Sequence, residues 1–215
     1  MFTGLIESVG RVAAATATAS GIALRVQTAL AAELQPGDSI AVNGVCLTAT
    51  VVAAGDLHAD VGPETMRVTT LGSLEPGQPL NLERSMRADS RFGGHFVQGH
   101  VDGVGTITDV RDDGDAHWLT IAFPAALAAY FIPKGAVAVD GISLTIAELK
   151  DTSFDVMIIP FTWHHTNLSA RHPGDRVNLE CDMIGKYVAR IAALSAAGRL
   201  KAHLAPGFSR THTHD

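Results

Sequence analysis

The sequence predicts an all-β protein: two tandem homologous six-stranded Greek-key barrels followed by a C-terminal amphipathic helix. Three observations predict it. Residues 38–83 repeat in residues 135–180 at a constant offset of 97. Short β-compatible runs recur about every ten residues, separated by turn pairs. Alternating βαβ units are absent, as are a G-x-G-x-x-G fingerprint and a phosphate-binding loop.

The bulk properties agree. The 215 residues suit two domains of about 100 residues each. Apolar residues make up 47% and charged residues 18%, enough to bury a core. A net charge of -6 with no basic block argues against a nucleic-acid partner. No apolar run approaches the roughly 18 residues of a membrane span. The opening MFTGLIE has neither a basic region nor a long apolar stretch, so no signal peptide is read and a cytoplasmic protein is expected. Cys46 and Cys181 form no CxxC or zinc spacing, and two free thiols in a reducing compartment are expected, with no metal site.

The repeat runs motif by motif. Residues 41–48, AVNGVCLT, lie over 138–145, AVDGISLT. Pro63, Thr65, Thr69 and Leu71 meet Pro160, Thr162, Thr166 and Leu168. Asn81-Leu82-Glu83 meets Asn178-Leu179-Glu180. The openings, GLIESVG at 4–10 and GHVDGVG at 99–105, match at an offset of 95. The second copy has therefore gained two residues in its first third, and the hairpin at 111–115 is the expected place. A period this long is a whole-domain duplication rather than a solenoid repeat. It divides the chain into a first barrel over 1–97, a second over 98–181, a helix over 182–195 and a tail over 196–215. The glycines near Gly93-Gly94 mark the boundary.

Within each copy the elements follow in order. Gly21–Gln27 alternates apolar and polar residues, and 117–123 does so roughly. Ser39–Val42, 45–52 and 80–82 are short strand candidates. Asn43-Gly44 and Asp140-Gly141 are tight-turn pairs, since both residue types tolerate positive φ. Residues 64–71 and 162–168 are the short helix candidates. The stretch 182–194 has helical periodicity, with Met183 or Ile184, then Tyr187, Val188, Ile191 and Leu194 on one face and Asp182 as N-cap. This helix has no counterpart after the first copy. Its stripe must bury against its own barrel or a neighbouring subunit. The tail reads as disordered; its alternating His212 and His214 hold no fixed metal geometry.

Duplication alone can simply enlarge a structure. It can also hold two like molecules, and the differences between copies bear on that choice. The hydroxyls Thr48/Thr145 and Thr65/Thr162 are shared, whereas Cys46 faces Ser143, Ser39 faces Ala136, Asn43 faces Asp140 and Leu5 faces His100. A thiol, a hydroxyl, a carboxylate and an imidazole are groups that would treat two identical molecules differently.

Several motifs carry a family resemblance: Met1 to Glu7, Asn43 to Thr48, Gly94 to Gly103, Lys134-Gly135 and Asp140 to Thr145. The chain up to about Leu194 resembles the riboflavin synthase family, α-chain type. Leu5 stands where the family usually has isoleucine, and Val45 where some members carry a second cysteine. The resemblance implies a cofactor-free dismutation of two 6,7-dimethyl-8-ribityllumazine molecules to riboflavin and 5-amino-6-(D-ribitylamino)uracil. It implies one lumazine per barrel, a homotrimer built through the C-terminal helix, and lumazine synthase as a partner to be tested. The competing reading is a non-catalytic lumazine- or flavin-binding antenna.

By position match, the first barrel's site should use Gly4, Leu5 and Ile6 with Cys46, Leu47 and Thr48, and the run Asp60, Val61, Gly62, Pro63, Glu64 and Thr65. The second should use Gly99, His100 and Val101 with Lys134, Ser143, Leu144 and Thr145, and the run Met157, Ile158, Ile159, Pro160, Phe161 and Thr162. The catalytic candidates are Cys46, His100, Ser39, Ser143 and Asp140, with Phe2 and Thr3 closing the site. His100 is a proton shuttle or a rim histidine held by hydrogen bonds. Cys46 is a ring-contacting thiol or a small packed side chain. His95 is read as structural.

Overall fold

In a computed structural model, which describes residues 1–53 and 55–199, the chain forms two closed antiparallel barrels. The first contains β1 (Ser8–Thr18), β2 (Gly21–Gln27), β3 (Ser39–Val42), β4 (Val45–Ala53), β5 (Asp56–Val61) and β6 (Pro79–Arg84). They close in the order β1-β2-β5-β4-β3-β6. The second repeats that order with β7 (Gly103–Asp113), β8 (Ala116–Ala122), β9 (Ala136–Val139), β10 (Ile142–Leu149), β11 (Ser153–Ile158) and β12 (Arg176–Cys181). Helix α1 (Pro63–Val68) and its counterpart α2 (Pro160–His165) follow the fifth strand of each barrel, each with proline in its first turn, where no N–H is needed. Short 3₁₀ turns complete the predicted helical stretches.

Closure is achieved by the same irregularities twice. β1 bulges between Val12 and Ala14, and β4 between Ala49 and Val51. β7 and β10 bulge at the equivalent places. Such bulges sharpen the bend of a strand at a barrel corner. The hairpin ends Thr18↔Gly21 and Asp113↔Ala116 keep the offset of 95. The two extra residues therefore lie after Ala122, in the segment through the 3₁₀ turn Ala125–Tyr130, and not in the hairpin at 111–115. Hairpin register is tied to barrel closure, whereas a short turn at the barrel end tolerates length.

The cores differ in substance. The first holds only aliphatic side chains, among them Leu24, Ile40, Leu57, Leu80 and Leu82. The second adds Phe123, Phe131 and Phe154, with ring centroids 4.8 Å and 5.2 Å apart in edge-on pairs around Phe131.

The barrels meet about a pseudo-twofold axis. The turn tips touch: a Cβ on Gly44 would lie 2.6 Å from the Gly141 nitrogen, and Asn43 and Asp140 both sit at φ 45°. Behind them Asn81 and Asn178 cross the seam, their side-chain amides donating to the Asp140 carbonyl at 3.0 Å and the Asn43 carbonyl at 2.8 Å. Further along, Phe2 and Val97 pair through their backbones, with Phe2 N–H donating to Val97 O at 2.7 Å. Both are fully buried, packed with Ala41 and Ala138.

Helix α3 (Met183–Ala196) leaves the second barrel capped by Asp182, whose carboxylate accepts from Ile184 N–H at 3.0 Å. It rests on that barrel's 3₁₀ turn, where Gly185 allows the Tyr130 carbonyl to approach. Ile184, Tyr187, Val188 and Ile191 all point away and are more than half exposed. The tail from residue 200 onward, expected to be disordered, lies outside the described residues.

Candidate functional site

Two segments that precede the barrels, residues 2–6 and 97–101, build the site edges. Each is anchored to its own barrel by a buried glutamate. Glu83 accepts from Thr3 N–H at 2.7 Å, Thr3 Oγ1 at 2.8 Å and Gly4 N–H at 2.9 Å. Glu180 accepts from Gln98 N–H at 2.6 Å and from Gly99 and His100 N–H at 2.9 Å each. Burial pushes both carboxyls above the ordinary range, and the converging N–H donors oppose it; at Glu180 the Lys186 ammonium opposes it too.

Each segment then crosses to the other barrel. The Gly4 carbonyl accepts from Ser143 N–H at 2.8 Å, and Ile6 packs on the second core. The Gly99 carbonyl accepts from Cys46 N–H at 2.9 Å, and Val101 packs on the first core. Gly4 and Gly99 have φ of 78° and 79°, and a Cβ would come within 2.6 Å of the Ser143 Cβ and 2.5 Å of the Cys46 Cβ. Both reasons require glycine. Gly4 and Ile6 thus reach the second barrel, and Gly99 and Val101 the first, while Leu5 lines a cleft with Ser39 and Arg84.

On the first barrel, strand alternation turns Cys46 and Thr48 outward while Leu47 faces the core. Ser39 lies opposite Thr48 in the register, and Asp60 is turned outward on the adjoining strand. Gly62, Pro63, Glu64 and Thr65 follow at the start of α1, with Glu64 engaged by Arg67 at 2.6 Å on the surface. His100 is exposed at this edge. Val61 is buried in the core, so only its backbone is available. Ser39 also opens onto a cleft of about 500 Å³, which it shares with Thr3, Leu5 and Arg84.

On the second barrel, Ser143 and Thr145 are the outward pair, and Leu144 leans on the core. Met157, Ile159 and Phe161 are exposed, Ile158 is buried, and Pro160 and Thr162 open α2. Lys134 holds a left-handed turn at φ 62° and donates its ammonium to the Ala147 carbonyl at 2.8 Å. Ser143 Oγ lies 2.7 Å from His95 Nδ1. Burial lowers the His95 pKa, against the nearby Asp182 carboxylate, so the imidazole stays neutral at pH 7.

One predicted residue, Asp140, stands apart from both patches. Asp140 is fully buried at the turn tips, where its carboxylate accepts from Asn178 N–H, the Asn167 amide and Arg171 at 2.8, 2.9 and 2.6 Å. Its neighbourhood is the seam, because the two turns that resemble ligand loops in sequence instead pack against each other. Phe2 lies in the Val97 pair, and Thr3 is held on Glu83. Sequence reasoning marks Glu83 and Glu180 only as matching positions of the repeat. The signal that could find them is a carboxylate on an otherwise buried strand, present in both copies. Among the described residues, no group of three or more histidine, cysteine or acidic side chains is placed to hold a metal, and no helix is long and apolar enough to cross a membrane.

Residues 3–85 and 98–182 each match the lumazine binding domain. Among curated proteins, the chain is 42% identical to riboflavin synthase of Actinobacillus pleuropneumoniae over 209 residues, covering 97% of both chains. It is 41% identical to riboflavin synthase of Bacillus subtilis over 191 residues, covering 88% of this chain and 89% of the other. It is 45% identical to riboflavin synthase of Mycobacterium bovis over 199 residues, covering 89% and 98%. Among solved structures, LumP complexed with riboflavin superposes with a TM-score of 0.80 at 22% identity, covering 84% of this chain and 99% of that one. LumP complexed with 6,7-dimethyl-8-(1'-D-ribityl) lumazine gives 0.77 at the same identity and coverage. These two likenesses establish the shared fold.

Proposed function

This chain belongs to the riboflavin synthase family, with the lumazine-binding domain present twice, and we propose that it transfers a four-carbon unit between two molecules of 6,7-dimethyl-8-ribityllumazine. One molecule becomes riboflavin and the other 5-amino-6-(D-ribitylamino)uracil, so the atoms of two substrates are redistributed without remainder. The observation that carries the reading is the 42% identity over 97% of both chains to a riboflavin synthase.

The two outward patches suit the two molecules. Fixing two reactants against each other supplies up to about 7–11 kcal/mol of the barrier. Proton transfer by placed side chains adds about 10²–10⁴-fold. On the first barrel, Cys46, Ser39 and His100 are the groups for addition and proton transfer, while Asp60, Glu64, Thr48 and Thr65 suit ribityl hydroxyls. On the second, Met157, Ile159 and Phe161 offer apolar area for a ring, with Ser143, Thr145 and Thr162 as hydrogen-bonding groups and Lys134 at the rim. Asp140 acts in the seam rather than on substrate. The reacting pair meets between the first barrel of one subunit and the second barrel of the next, in a cytoplasmic homotrimer.

The outward apolar face of α3 supports that assembly, since Ile184, Tyr187, Val188 and Ile191 find no cover on their own barrel. Deleting residues 183–215 should give a monomer of low activity; a trimer after truncation, seen by sedimentation, removes the helix from the interface. The activity itself is tested by adding the lumazine alone to pure protein and following riboflavin absorbance. A bound chromophore that never converts would overturn the reading in favour of a binding protein.

A further inference from the structure

The two site segments are pinned by matching acids, but the cations that hold those acids come from different places. In the first half, Glu7 N–H donates to Leu82 O at 2.9 Å, and Arg84 N–H donates to Glu7 Oε2 at 3.1 Å. In the second half, Asp102 N–H donates to Leu179 O at 2.8 Å, and Cys181 N–H donates to Asp102 Oδ2 at 2.8 Å. Backbone geometry is repeated bond for bond. The charge partner is not. The Arg84 side chain, on the barrel strand itself, pairs with Glu7 at 2.8 Å and with Glu33 at 2.5 Å. The residue equivalent to Arg84 is Cys181, an apolar thiol 1% exposed, and the equivalent of Glu33 is Tyr130.

The missing cation is supplied from outside the barrel. Lys186 of α3 reaches Asp102 at 2.6 Å, with only 25% and 21% of the two side chains exposed. Lys186 lies on the side of the helix that faces the barrel, with Gly185 against Tyr130, while the apolar stripe faces away. The cation on Asp102, beside the segment that carries His100, therefore comes from the helix, and the cation on Glu7, beside the segment that carries Leu5, comes from a barrel strand.

We propose that Lys186 is a positioning residue for the first barrel's site, which transmits the seating of α3 through Asp102 to His100. The proposal rests on the reading of His100 as a group acting in that site. His100 is fixed from both sides: Glu180 takes the N–H groups of residues 98, 99 and 100, and Asp102 is tied to Cys181 and Lys186. Loss of one tether leaves the other, so His100 should be misaligned rather than released. Misplacement by a fraction of an ångström is costly for proton transfer. Assembly that steadies α3 would in this way be read at the reacting groups, with no contact between the helix and the substrate.

The test uses the full chain. Lys186→Met should lower kcat about tenfold while KM and the sedimentation mass stay put. Lys186→Arg should restore most of the rate, and Arg190→Met, which removes an exposed charge from the same helix, should leave it unchanged. Asp102→Asn, which does not touch the helix sequence, should reproduce the loss even if Lys186→Met disturbs assembly. The double variant should be no slower than the worse single one. Full kcat in Asp102→Asn, or additive losses in the double variant, overturns the proposal. His100→Ala separates the two levels: a normal rate there removes the reading beneath the proposal, whereas a slow His100→Ala beside a fast Asp102→Asn removes the coupling alone.

Discussion

The two barrels share a strand order, a set of bulges and a pair of anchoring glutamates, yet their outward faces are chemically opposite. Where the first presents Asp60, Gly62 and Glu64, the second presents Met157, Ile159 and Phe161 at the equivalent positions. Where the first receives the His100 segment on Cys46, the second receives the Leu5 segment on Ser143. The first core is aliphatic and the second holds a phenylalanine trio. Glycines and glutamates that fix the backbone recur in both copies, and among the outward positions Thr48 and Thr145 are shared while those at 60, 62 and 64 have diverged from 157, 159 and 161. This is what one scaffold asked to treat two identical molecules differently requires.

The sharpest way to break that comparison is on activity. Cys46→Ala or His100→Ala should cut turnover by about 10²–10⁴-fold, with lumazine binding retained. Ser143→Ala should cost far less. Equal losses on the two sides, measured by riboflavin formation, would place chemistry on both barrels.

Next in size are the crossing glycines. Gly99→Val should destabilise the protein by about 3–4 kcal/mol, through its left-handed backbone and the clash with Cys46. Gly4→Val should do the same against Ser143. Denaturant melts of both variants check whether the two crossings are energetically matched. If only one is sensitive, the crossings are not equivalent despite their geometry.

A smaller effect concerns the seam. Asp140 and Asn43 are equivalent in position, but only Asp140 has a cation, Arg171, whose counterpart is Leu74. Arg171→Leu leaves a fully buried carboxylate with amide and N–H donors only. It should cost about 2 kcal/mol, measured by urea unfolding. Adding Asp140→Asn, which restores the chemistry of the first half, should recover much of it.

The smallest effect is in pH. The folded pKa of His95 lies below its unfolded value of 6.5. The unfolded chain therefore binds more protons as pH falls below that value, and stability is lost on the way down toward the folded pKa. Above it the contribution is complete and flat. His95→Gln should remove this part of the acid sensitivity, and an unchanged slope between thermal melts of the two proteins would assign it elsewhere.

The duplicated barrels were legible because turns and packing positions repeat at a fixed offset. Asn43-Gly44 and Asp140-Gly141 forced tight turns, and Asp182 announced a helix start. The strand Ser8–Thr18 was not legible, since its alanine-rich run carries no alternation to read. The exchange of segments was invisible for a deeper reason. Alignment of the copies shows which residues are equivalent, not which barrel each one touches, and residues 2–6 touch both. The inward direction of Asp140 was not legible, because a carboxylate beside a Gly turn resembles a ligand loop and only the meeting of the two turns buries it.

The exchange also ties each barrel's edge to a stretch of chain far from it in sequence. The edge at Cys46 must wait for Gly99, made after the rest of its own barrel, and the edge at Ser143 is sealed by Gly4, made long before it. Each barrel closes through its own six strands, but the edge at Cys46 and the edge at Ser143 are each completed only by a segment of the other half. A nascent chain halted at residue 97 should stay open to protease beside Cys46, and one carried through residue 181 should resist.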